Sequence, residues 1–216
     1  MSVVVTKRSI PFIPQRTIEG HWRTCGAAAL AMGYASFGLD VPLEDIWPRL
    51  SLGLSRGEAV GSHRLAADAL ARGMSAVVLR ARDPSVALET VLKSRRVCIA
   101  NHRLDNESFD GHFSVVVDAD EQHVVVHNPY SIAYERIHRA TWQSLWGSET
   151  QLGEHSGYVL VAMAPPELTP DCDELICPRC RTILPLASDL GVSAGEWDDC
   201  WECLFCAFCD ASLRCG

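Results

Sequence analysis

Long apolar runs are missing from this 216-residue chain. The N-terminal MSVVVTKRSIPFIP holds a single three-valine run, with neither an extended apolar core nor a small-residue cleavage site, so it does not read as a secretory signal. No stretch approaches the roughly 20 apolar residues a membrane span needs. The expectation is a cytoplasmic chain without a membrane span, with signal-free export left open. Cysteine is scarce before residue 172, where only Cys25 and Cys98 occur. Basic residues are scarce after Pro166: that segment has ten acids against three arginines, a net of −7 out of the whole chain's −8. Binding to nucleic acid needs Lys and Arg to displace phosphate counterions, so this tail would repel a nucleic-acid backbone. A basic peptide or a protein partner suits it better. No internal repeat appears before the tail.

The chain does have enough apolar residues, at 48%, to build a core. Its length suits one ordinary domain with a small appendage. A helix is expected from Cys25 toward Gly38, with Thr24 as N-cap, and further helical stretches near 63–72 and 86–93. Strand-like runs fall at 75–79, 96–100, 113–118, 123–127 and 158–162. Helices followed by an antiparallel sheet is an α+β order. Three prolines and several acids in APPELTPDCDE then break the pattern. The expected division is a domain over 1–164, a linker over 165–173 and a cysteine-rich unit over 174–216.

Cys25 stands in RTCGAAALAMGYASFG, where loop becomes helix. In a helix's first turn, unpaired backbone N–H groups and the positive end of the dipole favour the thiolate, the nucleophilic form. A lone cysteine in an Ala-rich helix is otherwise a small buried hydrophobe, the reading that fits Cys98 in RRVCIA. Downstream, GHFSVVVDADEQHVVVHNPY reads as a hairpin with its turn near Asp120. That turn makes His112 and Asn128 cross-strand neighbours, with Cβ atoms about 5 Å apart. A bulge or the parity of the loop decides whether they face directly or are offset. His127 should point to the opposite face of its strand. His21, His63, His102, His123, His138 and His155 sit in polar or turn-like surroundings without a matching partner.

Cys25-Gly26-Ala27-Ala28, Gly111-His112-Phe113 and Asn128-Pro129 resemble the papain-like cysteine peptidases, in particular the bacterial family that cleaves bacteriocin leader peptides. The resemblance covers roughly residues 10–163. It implies a papain-like fold, a nucleophile helix packed on an antiparallel sheet, and peptide-bond hydrolysis of a peptide or protein substrate with no catalytic cofactor. Carried onto this chain, it makes Cys25 the nucleophile, His112 the base and Asn128 the group that orients the imidazole. It makes Gln15 an oxyanion donor, and it implies Gly-Gly-type cleavage sites. The chain departs from the leader peptidases in having Asn128 where they usually carry aspartate, and in the ten positions between Gln15 and Cys25. Trp22 is a candidate wall of the cleft. An idle peptide-binding module, or an acyltransferase or deamidase on the same cysteine, would carry the same residues.

The tail has Cys172, Cys177, Cys180, Cys200, Cys203, Cys206, Cys209 and Cys215. Paired C-x-x-C elements in a chain without a secretory signal point to metal before disulfide. LICPRCRTIL and LFCAFCDASL align in register, as the two knuckles of a zinc ribbon do. They nominate Cys177, Cys180, Cys206 and Cys209 as one tetrahedral zinc site, which would staple a segment poor in large apolar groups. Pairing Cys177 and Cys180 with Cys200 and Cys203, two zinc sites, an iron–sulfur cluster and disulfides are the alternatives.

Overall fold

The computed structural model describes residues 9–107, 111–147, 157–168 and 173–215. The N-terminal valine run, part of the expected linker, His155 and Cys172 lie outside them. Among the described residues the architecture is an antiparallel sheet of eight strands with five α-helices.

The first helix, α1 (Cys25–Ser36), is built from Ala, Gly, Leu and Met and is apolar all round. Such a helix belongs inside, and Cys25 to Tyr34 are all buried. Gly38 adopts φ +81°, and the chain turns away from the helix there. Two helices the sequence pattern did not reveal are α2 (Leu43–Leu50), which starts after Pro42 and contains Pro48, and α5 (Arg139–Gly147). Between them come α3 (Ser62–Ala71), β1 (Ser75–Ala81) and α4 (Pro84–Lys93). Asp83 caps α4 by accepting from the Ser85 and Val86 amides.

The remaining strands ahead of the cysteine-rich tail are β2 (Val97–Arg103), β3 (Gly111–Ala119), β4 (His123–His127), β5 (Glu135–His138) and β6 (Val159–Ala164). The tail supplies β7 (Glu174–Ile176), β8 (Ile183–Pro185), β9 (Trp201–Phe205) and β10 (Ser212–Cys215). The large sheet runs β10-β9-β1-β6-β2-β3-β4-β5, and β7 and β8 form a separate pair. In sequence order β9 comes long after β1, yet the two strands pair antiparallel, with Val78 against Phe205 and Leu79 against Leu204. The tail thus continues the sheet.

Alternation along the central strands explains the two cores. Val159, Val161 and Met163 pack with α1, α2 and α3, whereas Leu160 and Ala162 pack with α4 and α5. A sheet covered on both faces reads as a continuous apolar run, as VLVAMA does.

Candidate active site

Local chemistry at the start of α1 differs from expectation. Thr24 makes no side-chain cap hydrogen bond; its buried hydroxyl donates instead to the Arg16 carbonyl at 2.7 Å. The hydroxyl therefore does not occupy the first-turn amides of α1, and it pins the N-terminal coil beside them. Arg23 adds a second tie, donating to the Gly57 carbonyl at 3.1 Å and the Gly111 carbonyl at 3.5 Å. The residues flanking Cys25 are in this way fastened to the start of the strand that carries His112.

The packing of α1 on β3 is close at the same place. A Cβ on Gly26 would lie 3.2 Å from Leu65 and 3.3 Å from the Phe113 ring. Gly26 follows Cys25 and Phe113 follows His112, so the missing Cβ lets the two backbone segments approach. Cys25 is 8% exposed, His112 4% and Asn128 7%.

The hairpin turns at Asp120–His123, with the Asp120 carboxylate accepting from the Gln122 and His123 amides. A bulge between Val116 and Asp118 shifts the register, so Val115 pairs with His127. Continued past the end of β4, that register sets position 128 beside 114. His112 is then the diagonal neighbour of Asn128, not the direct one. His112 Nε2–H donates to Asn128 Oδ1 at 2.8 Å, and an amide oxygen can only accept, so the tautomer is fixed. Nδ1 is left as the basic nitrogen. Burial pushes the imidazole down to about 4, against the pull of the Asn128 bond and the Glu135 carboxylate. At neutral pH His112 is a neutral base.

Gln15 reaches this hairpin through its backbone, which donates to the Pro129 carbonyl at 2.9 Å. Its carboxamide Nε2 makes one long contact, 3.4 Å to the Trp22 carbonyl, and its buried Oε1 has no hydrogen-bond partner among the described residues. Trp22 is 57% exposed.

Several residues here were not recognised in the sequence. His102 is not in a polar turn. It lies buried in β2 directly across from His112, takes a hydrogen bond from Ser114 on Nε2, donates from Nδ1 to the Arg103 carbonyl, and sits ring against ring with His112 at 5.4 Å. Apolar neighbours in VCIANHR were the signal for a strand running past Ala100. His127 turns to its own side and donates to the Ile10 carbonyl at 2.8 Å, holding the coil that carries Gln15. Glu135, on the unrecognised strand β5, accepts from Asn128 Nδ2 at 2.8 Å.

The tail forms a second cluster. Cys177, Cys180, Cys206 and Cys209 have their sulfurs within 4.8 Å of one another. The Cys177–Cys209 and Cys180–Cys206 separations are 3.6 Å. Four thiolates on a tetrahedral ion at about 2.3 Å stand roughly 3.8 Å apart, whereas a disulfide is near 2.05 Å. The two C-x-x-C turns repeat each other in backbone detail. Arg181 and Asp210 both take positive φ, at 64° and 58°, and each amide donates back to the carbonyl of the turn's first cysteine. Cys180 is drawn down to about 6 by hydrogen bonds from Thr182, while burial pushes Cys206 up to about 12. Sulfurs this close do not all ionise without a cation among them. The donor set fits a metal ion. Cys200 and Cys203, buried around β9, are not part of the cluster, and Cys98 is a core residue whose thiol burial raises to about 12.

The fold has counterparts among solved structures. The peptidase domain of Streptococcus ComA, a bi-functional ABC transporter involved in a quorum-sensing pathway, is similar at TM-score 0.56 and 17% identity, over 73% of this chain and 99% of that one. A double glycine motif protease from an AMS/PCAT transporter, solved with its leader peptide, is similar at 0.54 and 20%, over 76% and 96%. A C39-like peptidase from Bacillus anthracis is similar at 0.57 and 15%, over 73% and 95%. No family model matches the chain, and no curated protein matches it in sequence.

Proposed function

We propose that this chain, which has the fold of the double-glycine peptidase domains, is itself a cysteine peptidase acting through Cys25, His112 and Asn128. The observation that carries the reading is the His112–Asn128 hydrogen bond of 2.8 Å, on a strand packed against the first turn of the Cys25 helix. Cys25 Sγ attacks the peptide carbonyl carbon while His112 Nδ1 takes the thiol proton. The same proton passes to the amine as the C–N bond breaks, leaving an acyl thioester. His112 then takes a proton from water as its oxygen attacks the thioester, and the acid product leaves with the thiol restored. Asn128 holds Nε2–H throughout, keeping Nδ1 as the acceptor. The Cys25 amide and the Gln15 carboxamide stabilise the oxyanion, each donor contributing about 3 kcal/mol.

Peptides ending in Gly-Gly before the cleaved bond are the proposed substrates, in line with the description of one similar structure as a double glycine motif protease. The cysteine cluster of the tail would hold zinc as a structural staple, and the acidic surface around it would meet a basic peptide or protein.

The test combines labelling with hydrolysis. Iodoacetamide should modify Cys25 far faster than Cys98, located by peptide mapping, and His112→Ala should remove that advantage. A fluorogenic Gly-Gly peptide should be cleaved by the wild-type chain and not by Cys25→Ala. Equal, slow labelling of both cysteines would end the peptidase reading; fast labelling with no cleavage would end the substrate assignment.

A further inference from the structure

Asn128 raises a question of orientation. An asparagine amide presents an acceptor on one side and a donor on the other, and the reverse orientation would turn NH₂ toward His112 Nε2. That would force the proton onto Nδ1 and remove the base. A backbone contact helps, since the Tyr130 amide donates to Asn128 Oδ1 at 3.1 Å. The other end of the amide meets Glu135, whose Oε2 lies 2.8 Å from Asn128 Nδ2 and also accepts from the Ser131 hydroxyl at 3.2 Å. A carboxylate only accepts, so it admits the NH₂ end alone.

The position of Glu135 follows from the hairpin of β4 and β5. Its Cα pairs with Val126, and the tight connection of residues 128–134 is closed by the Ile132 and Ser131 amides donating to the Asn128 carbonyl and the Asn128 amide to Ile132. Among the described residues, the charged and titratable groups around His112 are Glu135 on β5, Arg23 ahead of α1, His102 on β2 and, through the packing of α1 on β3, Cys25. Arg23 opposes a charge on the imidazole and His102 is neutral, buried and pushed down to about 3. Glu135 is the anion of the group.

We infer that Glu135 is the positioning residue of the site: through Asn128 it fixes the His112 tautomer, and its carboxylate supplies the negative charge that an aspartate would bring if it stood in place of Asn128. The inference rests on the peptidase reading above. Glu135 is hydrogen-bonded to Asn128 and acts on His112 through that amide and through its charge.

Two variants separate its two effects. Glu135→Gln keeps an acceptor oxygen for Asn128 Nδ2 and drops the charge; Glu135→Ala drops both. With the charge gone the imidazolium is less stable, the Cys25 proton is harder to transfer, and the apparent thiol pKa rises. Iodoacetamide alkylation of Cys25 at pH 6–7 should therefore slow about threefold to tenfold in both variants, its pH profile moving to higher pH. Nitrogen-15 NMR of His112 should show the Nε2–H tautomer in the wild-type chain and in Glu135→Gln, and a mixture in Glu135→Ala. Alkylation profiles unchanged in both variants, while His112→Ala still abolishes the enhancement, would overturn the electrostatic half. An unchanged tautomer in Glu135→Ala would overturn the orienting half. Wild-type alkylation no faster than that of an ordinary thiol would instead remove the peptidase reading, and the tautomer spectra would still decide for or against Glu135. Should Glu135→Ala fail to fold, Glu135→Gln set beside an Asn128→Ala spectrum makes the same comparison.

Discussion

At the scale of single residues, the candidate site is built from groups whose hydrogen-bonding roles are fixed by their partners. Glu135 can only accept, Asn128 offers one face of each kind, and His112 is left with one basic nitrogen. A change from Asn128 to aspartate shows the consequence. It would set two carboxylates about 2.8 Å apart, the observed Nδ2–Oε2 distance, and like charges so close raise one pKa strongly. Asn128→Asp is therefore expected to cut hydrolysis by roughly tenfold or more, although aspartate is what the leader peptidases usually carry. Asn128→Asp with Glu135→Gln should recover most of it, as kcat measurements on the pair would show. The buried histidines also fix how the protein meets acid. Burial holds His102 near 3 and His112 near 4, and it lowers His127 as well. In the unfolded chain they would titrate near 6.5, so above that pH neither state is charged and they impose no slope. As pH falls from about 6.5 toward 4, the unfolded state binds protons that the folded state refuses, and stability drops. Urea midpoints measured from pH 8 to 4 should be level at first and then decline, and a flat profile down to pH 4 would contradict the burial.

Secondary-structure elements bring these residues together. α1 carries Cys25, β3 carries His112, and the missing side chain at Gly26 is what lets them close. These two elements were legible in the sequence because each has a strong local signal: an apolar helix ended by a positive-φ glycine, and two β-branched runs around a short polar turn. β5 was not legible. Four residues with three charged or titratable members hold too little pattern, and the strand exists because β4 offers an edge. The same holds for α2 and α5, whose buried Trp47, Trp142 and Trp146 reveal themselves only once there is a sheet to pack against. Elements of the tail are joined to the sheet by a polar clamp. The fully buried Arg96 side chain donates twice to Asp189 at 2.9 Å and again to the Ser75 hydroxyl at 3.2 Å. Asp189→Ala would leave that guanidinium without its counter-ion and should cost about 3 kcal/mol by chemical denaturation.

For the molecule as a whole, the cysteine cluster and the sheet are one mechanical problem. β9 runs directly into the turn containing Cys206 and Cys209, and it covers the edge of β1. A metal holding that turn to the β7–β8 pair would fix the strand order at this side of the sheet. Elemental analysis of the purified chain is expected to give close to one zinc per molecule. Stripping it with a strong chelator should lower the melting temperature and expose the edge of β1, read as faster amide exchange at Val77–Arg80 than in the loaded protein. The division near residue 164 is then a proposal about folding, and the continuity of β9 with β1 gives it a sharp test: residues 174–216 expressed alone with zinc either adopt a cooperative fold or do not.

The sequence by itself nominated Cys25, His112 and Asn128 as nucleophile, base and orienting amide, because Cys25, Gly111-His112 and Asn128-Pro129 sit in short motifs whose local geometry needs only a helix start and a hairpin. It also nominated Cys177, Cys180, Cys206 and Cys209 ahead of the pairing with Cys200 and Cys203, through the in-register repeat of LICPRCRTIL and LFCAFCDASL, and the structure brings those four sulfurs together. Tertiary structure decided what no local pattern encodes. It set the bulge that makes His112 and Asn128 diagonal neighbours, the hydroxyl of Thr24 spent on Arg16 and not on the helix, the joining of β9 to β1, and Glu135 behind Asn128. Each of these depends on a partner brought up by another part of the chain, and the free energy of such contacts comes from burial and from satisfied polar groups that exist only when the whole sheet has closed.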